Sequence, residues 1–208
     1  MNRAILVLGL CWLCAASFAR GQELDNGLLK VRMNAASRTW DLYRSSGGGE
    51  WTPVITGASL SLTLAGGDSL NFTTDGKETA FKSANLTSGE VRGRRMTVTA
   101  AGDRIAWTIS FALHDGGNAL RMSVSMKNTT AAPLQAGILH LLDAQGEGGA
   151  RFTSENLLAL RFFGAAGLTR LDSGVTVTGE PALQLCDKSS NGALLAGFVT
   201  NGAAVNSI

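Results

Sequence analysis

The sequence predicts an all-β fold, an antiparallel two-sheet β-sandwich with at most one short helix, and three observations predict it. Apolar and polar residues alternate with a period of two along much of the chain, whereas helical periodicity is almost absent. Glycine-rich segments separate these runs into roughly a dozen short strands, the pattern of a sandwich or, as the alternative, a barrel. The composition, 208 residues with 45% apolar, 16% charged, 26 Gly and 3 Pro, suits one sizeable globular domain and excludes a disordered tail or a collagen-like fibre.

The first element precedes that domain. Arg3 is followed by the apolar run Ala4 to Ala16 and then by Ser17-Phe18-Ala19, which places small residues at the two positions read by a signal peptidase. Residues 1–19 are therefore expected to be a signal peptide cleaved after Ala19, giving a secreted or periplasmic product. A retained membrane anchor would need about 20 apolar residues, more than this run supplies. Cleavage removes Cys11 and Cys14 and leaves Cys186 as the one thiol, so no internal disulfide forms. A mature length of about 190 residues buries enough core without covalent help. Cys186, inside Ala182-Leu183-Gln184-Leu185-Cys186, reads as a buried and inert thiol.

Residues 20–208 are expected to form the sandwich. Leu28 to Met33 is the first strand, with Leu29, Val31 and Met33 inward, and Thr39 to Tyr43 the second. Ser45-Ser46-Gly47-Gly48-Gly49 reads as a flexible loop. Ser59 to Leu64 follows, with Leu60, Leu62 and Leu64 inward, and then two weaker strands at Leu70 to Thr73 and Thr79 to Thr87. Arg95 to Thr99, Arg104 to Leu113 and Leu120 to Lys127 form a consecutive antiparallel meander. In its middle strand Ile105, Trp107, Ile109, Phe111 and Leu113 share one face, and His114 to Asn118 is the hairpin loop after it. Further strands are expected at Leu134 to Leu142, Gly174 to Thr178, Leu183 to Cys186 and Ala193 to Thr200. Ser154 to Phe163 fits either a capped helix of two to three turns or a buried strand, with a serine before it and Gly164 after it. The apolar run up to Thr200 needs cover on both faces. Either it is central to the sandwich or the sequence is the first part of something longer.

Chemistry is sparse in this pattern. With Lys and Arg at 18 against Asp and Glu at 16, the formal charge of +2 draws neither nucleic acid nor an anionic membrane, and after signal cleavage no membrane partner is expected. His114, His140 and Cys186 are too dispersed to ligate a metal, and no calcium, phosphate-loop or activated-serine motif occurs, so no metal, cofactor or catalytic residue is assigned. His140 reads as a core or sheet-face histidine, and a triad of Ser125, His140 and Asp143 is not demanded by the spacing. Arg92-Gly93-Arg94-Arg95 reads as a solvated strand edge. Trp40 and Trp107 alternate with apolar neighbours and belong in the core. Trp51, directly after Gly47-Gly48-Gly49-Glu50, is the candidate carbohydrate-binding residue, placed on a loop where an indole can stack on a sugar ring.

Three segments together resemble a known domain. Asp25 to Met33 with Arg38 to Tyr43, the run Leu120 to Asn128 leading through Pro133 to Leu142, and Gly192 to Thr200 are similar to the N-terminal β-sandwich of α-galactosidases of the melibiase and raffinose-synthase type. That sandwich belongs to the galactose-mutarotase-like supersandwich folds, and its family cleaves terminal α-galactosyl residues with two aspartates on a following (β/α)8 barrel. The resemblance therefore implies a non-catalytic accessory sandwich of an exported glycoside hydrolase, with that barrel, as domain or separate chain, as its partner. No residue here matches the two aspartates. The alternatives are a stand-alone extracellular carbohydrate-binding module and, lowest, a mutarotase-like sugar epimerase with His140 as base. Exposed strand edges also make a homo-oligomer conceivable.

Overall fold

In a computed structural model, the structure describes residues 22–150 together with the backbone of four later strands, 157–162, 168–171, 182–187 and 192–197. The expected signal peptide and the strand expected at Gly174 to Thr178 lie outside the described residues. The chain divides into two compact units, residues 1–150 and 151–207, which are described separately.

The first unit is an all-β two-sheet sandwich. One antiparallel sheet has the order β1 (Gln22–Asp25), β2 (Leu29–Asn34), β3 (Thr39–Gly47), β4 (Glu50–Leu64) and β10 (Ala136–Ala150). A short β5 (Ser69–Asn71) pairs with the end of β4. The other sheet is β6 (Gly76–Ser88), β7 (Val91–Gly102), β8 (Ile105–His114) and β9 (Leu120–Asn128), in that order. The expected meander is present as β7, β8 and β9, with Thr99 opposite Thr108 and Thr108 opposite Ser125.

Alternation places the core between the sheets. Leu29, Val31 and Met33 of β2, Leu60, Leu62 and Leu64 of β4, and Ile105, Trp107, Ile109, Phe111 and Leu113 of β8 are all buried. Trp40 meets Phe111 across the sandwich with ring centroids 5.3 Å apart, so both core tryptophans stand where the alternation puts them. β9 is different: Leu120, Met122, Val124 and Met126 face inward yet stay half-exposed, because this strand is the last of its sheet.

Three local expectations need correction. Ser45 to Gly49 is not a flexible loop: Gly47 pairs with Glu50, Gly48 and Gly49 form the turn, and φ is positive at all three glycines, 87°, 62° and 86°. Positive φ at both turn positions makes the tight reversal that matches strand twist, and glycine adopts such values without steric cost. β4 consequently starts at Glu50, well before Ser59. The second correction concerns Leu70 to Thr73, where the strand stops at Asn71 and a single turn, α1 (Phe72–Asp75), follows. Phe72, wholly buried, anchors that turn edge-on to Trp107 at 6.2 Å, and Asp75 Oδ2 accepts the Asn71 N–H at 2.5 Å. Third, His114 closes β8 and does not open a loop; the turn begins at Asp115.

Side chains tie the sheets together at both ends. Asn26 Nδ2 donates to the carbonyls of His114 (2.6 Å) and Gly117 (2.7 Å), while its Oδ1 accepts from Leu29 N at 2.8 Å. At the opposite end the Arg38 guanidinium donates to Thr73 O at 2.5 Å, and Arg104 pairs with Asp68 at 3.3 Å.

The second unit is a four-stranded antiparallel sheet in the order β12 (Leu168–Leu171), β11 (Leu157–Phe162), β13 (Ala182–Asp187) and β14 (Gly192–Gly197). The stretch left open between helix and strand is thus strand over Leu157–Phe162. Cys186 sits on β13 opposite Ala193 of β14.

Candidate functional site

The outer face of the β1–β4 sheet carries the richest chemistry among the described residues. β2 buries Leu29, Val31 and Met33, so Lys30 and Arg32 must point outward, and β3 buries Trp40 and Leu42, so Asp41 and Tyr43 do the same. Register then brings them together: Lys30 lies opposite Tyr43, Arg32 opposite Asp41, Glu23 opposite Arg32, and Tyr43 opposite Pro53. The glycine turn places Trp51 on β4 opposite Ser45, one diagonal step from Tyr43. Trp51 is therefore on a strand and not on a loop, and it is half-buried.

Lys30 links the two aromatic residues. Its Nζ lies 4.3 Å from the Trp51 ring centroid and 5.8 Å from that of Tyr43, a cation held over the electron-rich ring faces. Arg32 reaches the same Tyr43 ring at 5.4 Å and donates through Nε to Glu23 at 2.7 Å. The bond to Glu23, chiefly, raises the Arg32 pKa above its ordinary value. Tyr43 donates its hydroxyl to Asp41 Oδ2 at 3.1 Å, and Asp41 Oδ1 accepts the Gly57 N–H at 2.8 Å. Burial of the phenol first, then the Asp41 charge and hydrogen bond, raise the Tyr43 pKa above the usual phenol value.

Two amphipathic rings, an ammonium and a carboxylate on one rigid face offer stacking surface with adjacent hydrogen-bond partners, the chemistry that holds polyhydroxylated rings. Sequence reasoning singled out Trp51 as a candidate and passed over Lys30, Arg32, Asp41 and Tyr43, which the register sets beside it. The signal was available, because the polar positions of two consecutive alternating strands share one face once the hairpin register is known.

The other candidates lie apart. His140 is exposed on β10, Asp143 accepts the Ser61 hydroxyl at 2.6 Å, and Ser125 faces outward on β9; neither His140 nor Ser125 is hydrogen-bonded to Asp143. Among the described residues no three His, Cys, Asp or Glu side chains gather as a metal site, and no helix is long and apolar enough to cross a membrane. The chain matches no protein-family model, no curated protein and no solved structure.

Proposed function

We propose that this chain is the accessory β-sandwich of an exported α-galactosidase-like glycoside hydrolase, of the galactose-mutarotase-like kind, working beside a catalytic (β/α)8 barrel and contacting carbohydrate through the Trp51 face. The observation that carries the carbohydrate role is Trp51 and Tyr43 bridged by Lys30 on an exposed sheet face. The link to the hydrolase rests on the resemblance of the strand segments around Val31, Met126 and Leu195. A stand-alone carbohydrate-binding module is the second reading, favoured by the same cluster because a rigid sheet face binds sugar without help from another domain.

The test is titration of the purified chain with galactose-terminated oligosaccharides, beside a Trp51→Ala variant whose circular dichroism shows an intact sandwich. Affinity should fall at least tenfold, about 1.4 kcal/mol. Unchanged affinity would dispose of the stacking role. Hydrolysis of an aryl α-galactoside by the chain alone would sink the accessory reading, and a reading frame lacking a barrel pattern after Ile208 would weaken it, leaving a barrel on a separate chain or the stand-alone module.

A further inference from the structure

The second sheet presents an outer face of different chemistry, and the net charge of +2 conceals it. On β7 and β8 the inward residues are Met96, Val98, Ala100, Trp107, Ile109 and Phe111, so the alternate positions face out. Cross-strand register sets them in rows: Ala84, Arg95, Ala112 and Arg121; then Lys82, Thr97, Ser110 and Ser123; then Ala80, Thr99, Thr108 and Ser125; beyond these, Glu78 lies opposite Ala101 and Ala106 opposite Lys127. Six hydroxyls fill the middle, and Thr97 and Ser110 share a hydrogen bond at 3.0 Å. Four cations frame them against a single carboxylate.

None of the four has an acid partner, a state they share among the described residues with Lys30, Arg38, Arg44 and Arg92. Arg32, Lys77, Arg94 and Arg104 each pair with a carboxylate, whereas Lys82, Arg95, Arg121 and Lys127 form no ion pair among the described residues, and all four are exposed. Protection of sheet edges accounts for Lys82 on β6 and for Arg121 and Lys127 on β9. It does not account for Arg95, which stands on β7, inside the sheet.

We propose that this face binds an acidic polysaccharide, with Arg95 and Arg121 as the principal carboxylate partners and the Thr and Ser hydroxyls bonding the sugar hydroxyls between them. The face measures about 14 Å across its strands and about 20 Å along β9 from Arg121 to Lys127, room for several sugar units. Charge complementarity selects a polyanion, and the form of the surface selects among polyanions. Among the described residues it has no aromatic side chain on which single-stranded bases stack, no projecting element to enter a duplex groove, and no aromatic or apolar wedge to enter a bilayer.

The experiment titrates the full chain with polygalacturonate at low and high salt, alongside the double variant Arg95→Gln/Arg121→Gln. Both positions are exposed, so the variant keeps its fold. Binding should weaken at least tenfold in the variant and fall as salt screens the face. Trp51→Ala should leave polygalacturonate binding unchanged, which separates this site from the proposed galactoside face. Wild-type affinity in the double variant, no binding of polygalacturonate, or tighter binding of single-stranded DNA or of phosphatidylserine vesicles at equal salt would each overturn the proposal.

Discussion

Phe111 joins the two sheets through an aromatic contact. It is fully buried on β8, a central strand, and its ring meets Trp40 of the facing sheet at 5.3 Å and 57°. Phe111→Ala removes the ring's transfer energy and leaves a cavity that flanking strands cannot close, about 3–5 kcal/mol in comparable cores. The lost aromatic pair contributes about 0.5–1.5 kcal/mol of the upper part of that range. Against a domain stability of about 5–15 kcal/mol the variant remains measurable or falls just short of folding. Urea unfolding followed by tryptophan fluorescence is suited to it, because Trp40, Trp51 and Trp107 all lie in this sandwich. With a slope of about 2 kcal/mol per molar, the midpoint should drop by about 2 M. Phe111→Leu, which keeps most of the volume, should lose less than half as much. A loss below about 1 kcal/mol for Phe111→Ala would refute the claim that the sheets are joined through this contact.

Other consequences are equally direct. Tyr43 is the one tyrosine of the chain, so alkaline absorbance titration reads it alone. Its raised pKa means that the folded state holds the phenol proton more tightly; the stabilisation is complete below about pH 10 and is lost as pH rises through the folded value. Asp41→Asn should move the midpoint down, and an identical midpoint in urea would contradict the assignment. A Cβ at Gly93 would meet Leu113 O at 2.4 Å and His114 Cα at 2.9 Å, so Gly93→Ala should cost about 1–3 kcal/mol in chemical denaturation. Gly66→Ala, with open space around it, should be neutral, and equal midpoints for the two would count against the strand spacing described. Asn26→Ala frees the His114 and Gly117 carbonyls and the Leu29 amide together; thermal unfolding should show a loss of about 1–3 kcal/mol, with faster hydrogen exchange at Leu29.

Much of the sandwich was legible because burial imposes a period of two, and the strongest alternations belong to strands covered on one face. Ile105 to Leu113 is the clearest case. What alternation cannot express is where a strand stops when its end is set by a turn or a distant partner. The glycine run at 47–49 reads as a loop until the register of Gly47 with Glu50 shows that three glycines serve a two-residue reversal. Phe72 reads as a strand residue because its burial is the same in a strand and in a one-turn helix. The candidate site was half legible for a related reason: an indole beside glycines attracts notice by itself, while Lys30 and Tyr43 become partners of Trp51 only through pairing between strands.

Lys30 decides how ready the Trp51 face is for a sugar. Its ammonium covers one side of the indole at 4.3 Å, so a sugar that stacks there must first displace it. An exposed cation–π contact contributes about 0.5–1 kcal/mol, and a long flexible side chain recovers rotamer freedom when released. The displacement therefore costs less than a factor of ten in affinity. In the carbohydrate role proposed above, the freed ammonium would stay tethered beside the ring, within reach of the hydroxyls of the sugar that replaced it. Lys30→Met separates these two effects, because it keeps the aliphatic cover over the ring and removes the donor. If Lys30 serves mainly as a lid, the variant binds galactosides as the wild type does; if it serves as a donor, affinity falls while the tryptophan emission of the free protein barely moves. Both rings engage the ammonium in the free protein, Trp51 at 4.3 Å and Tyr43 at 5.8 Å, so any affinity lost in Lys30→Met measures what the donor adds once that engagement is released.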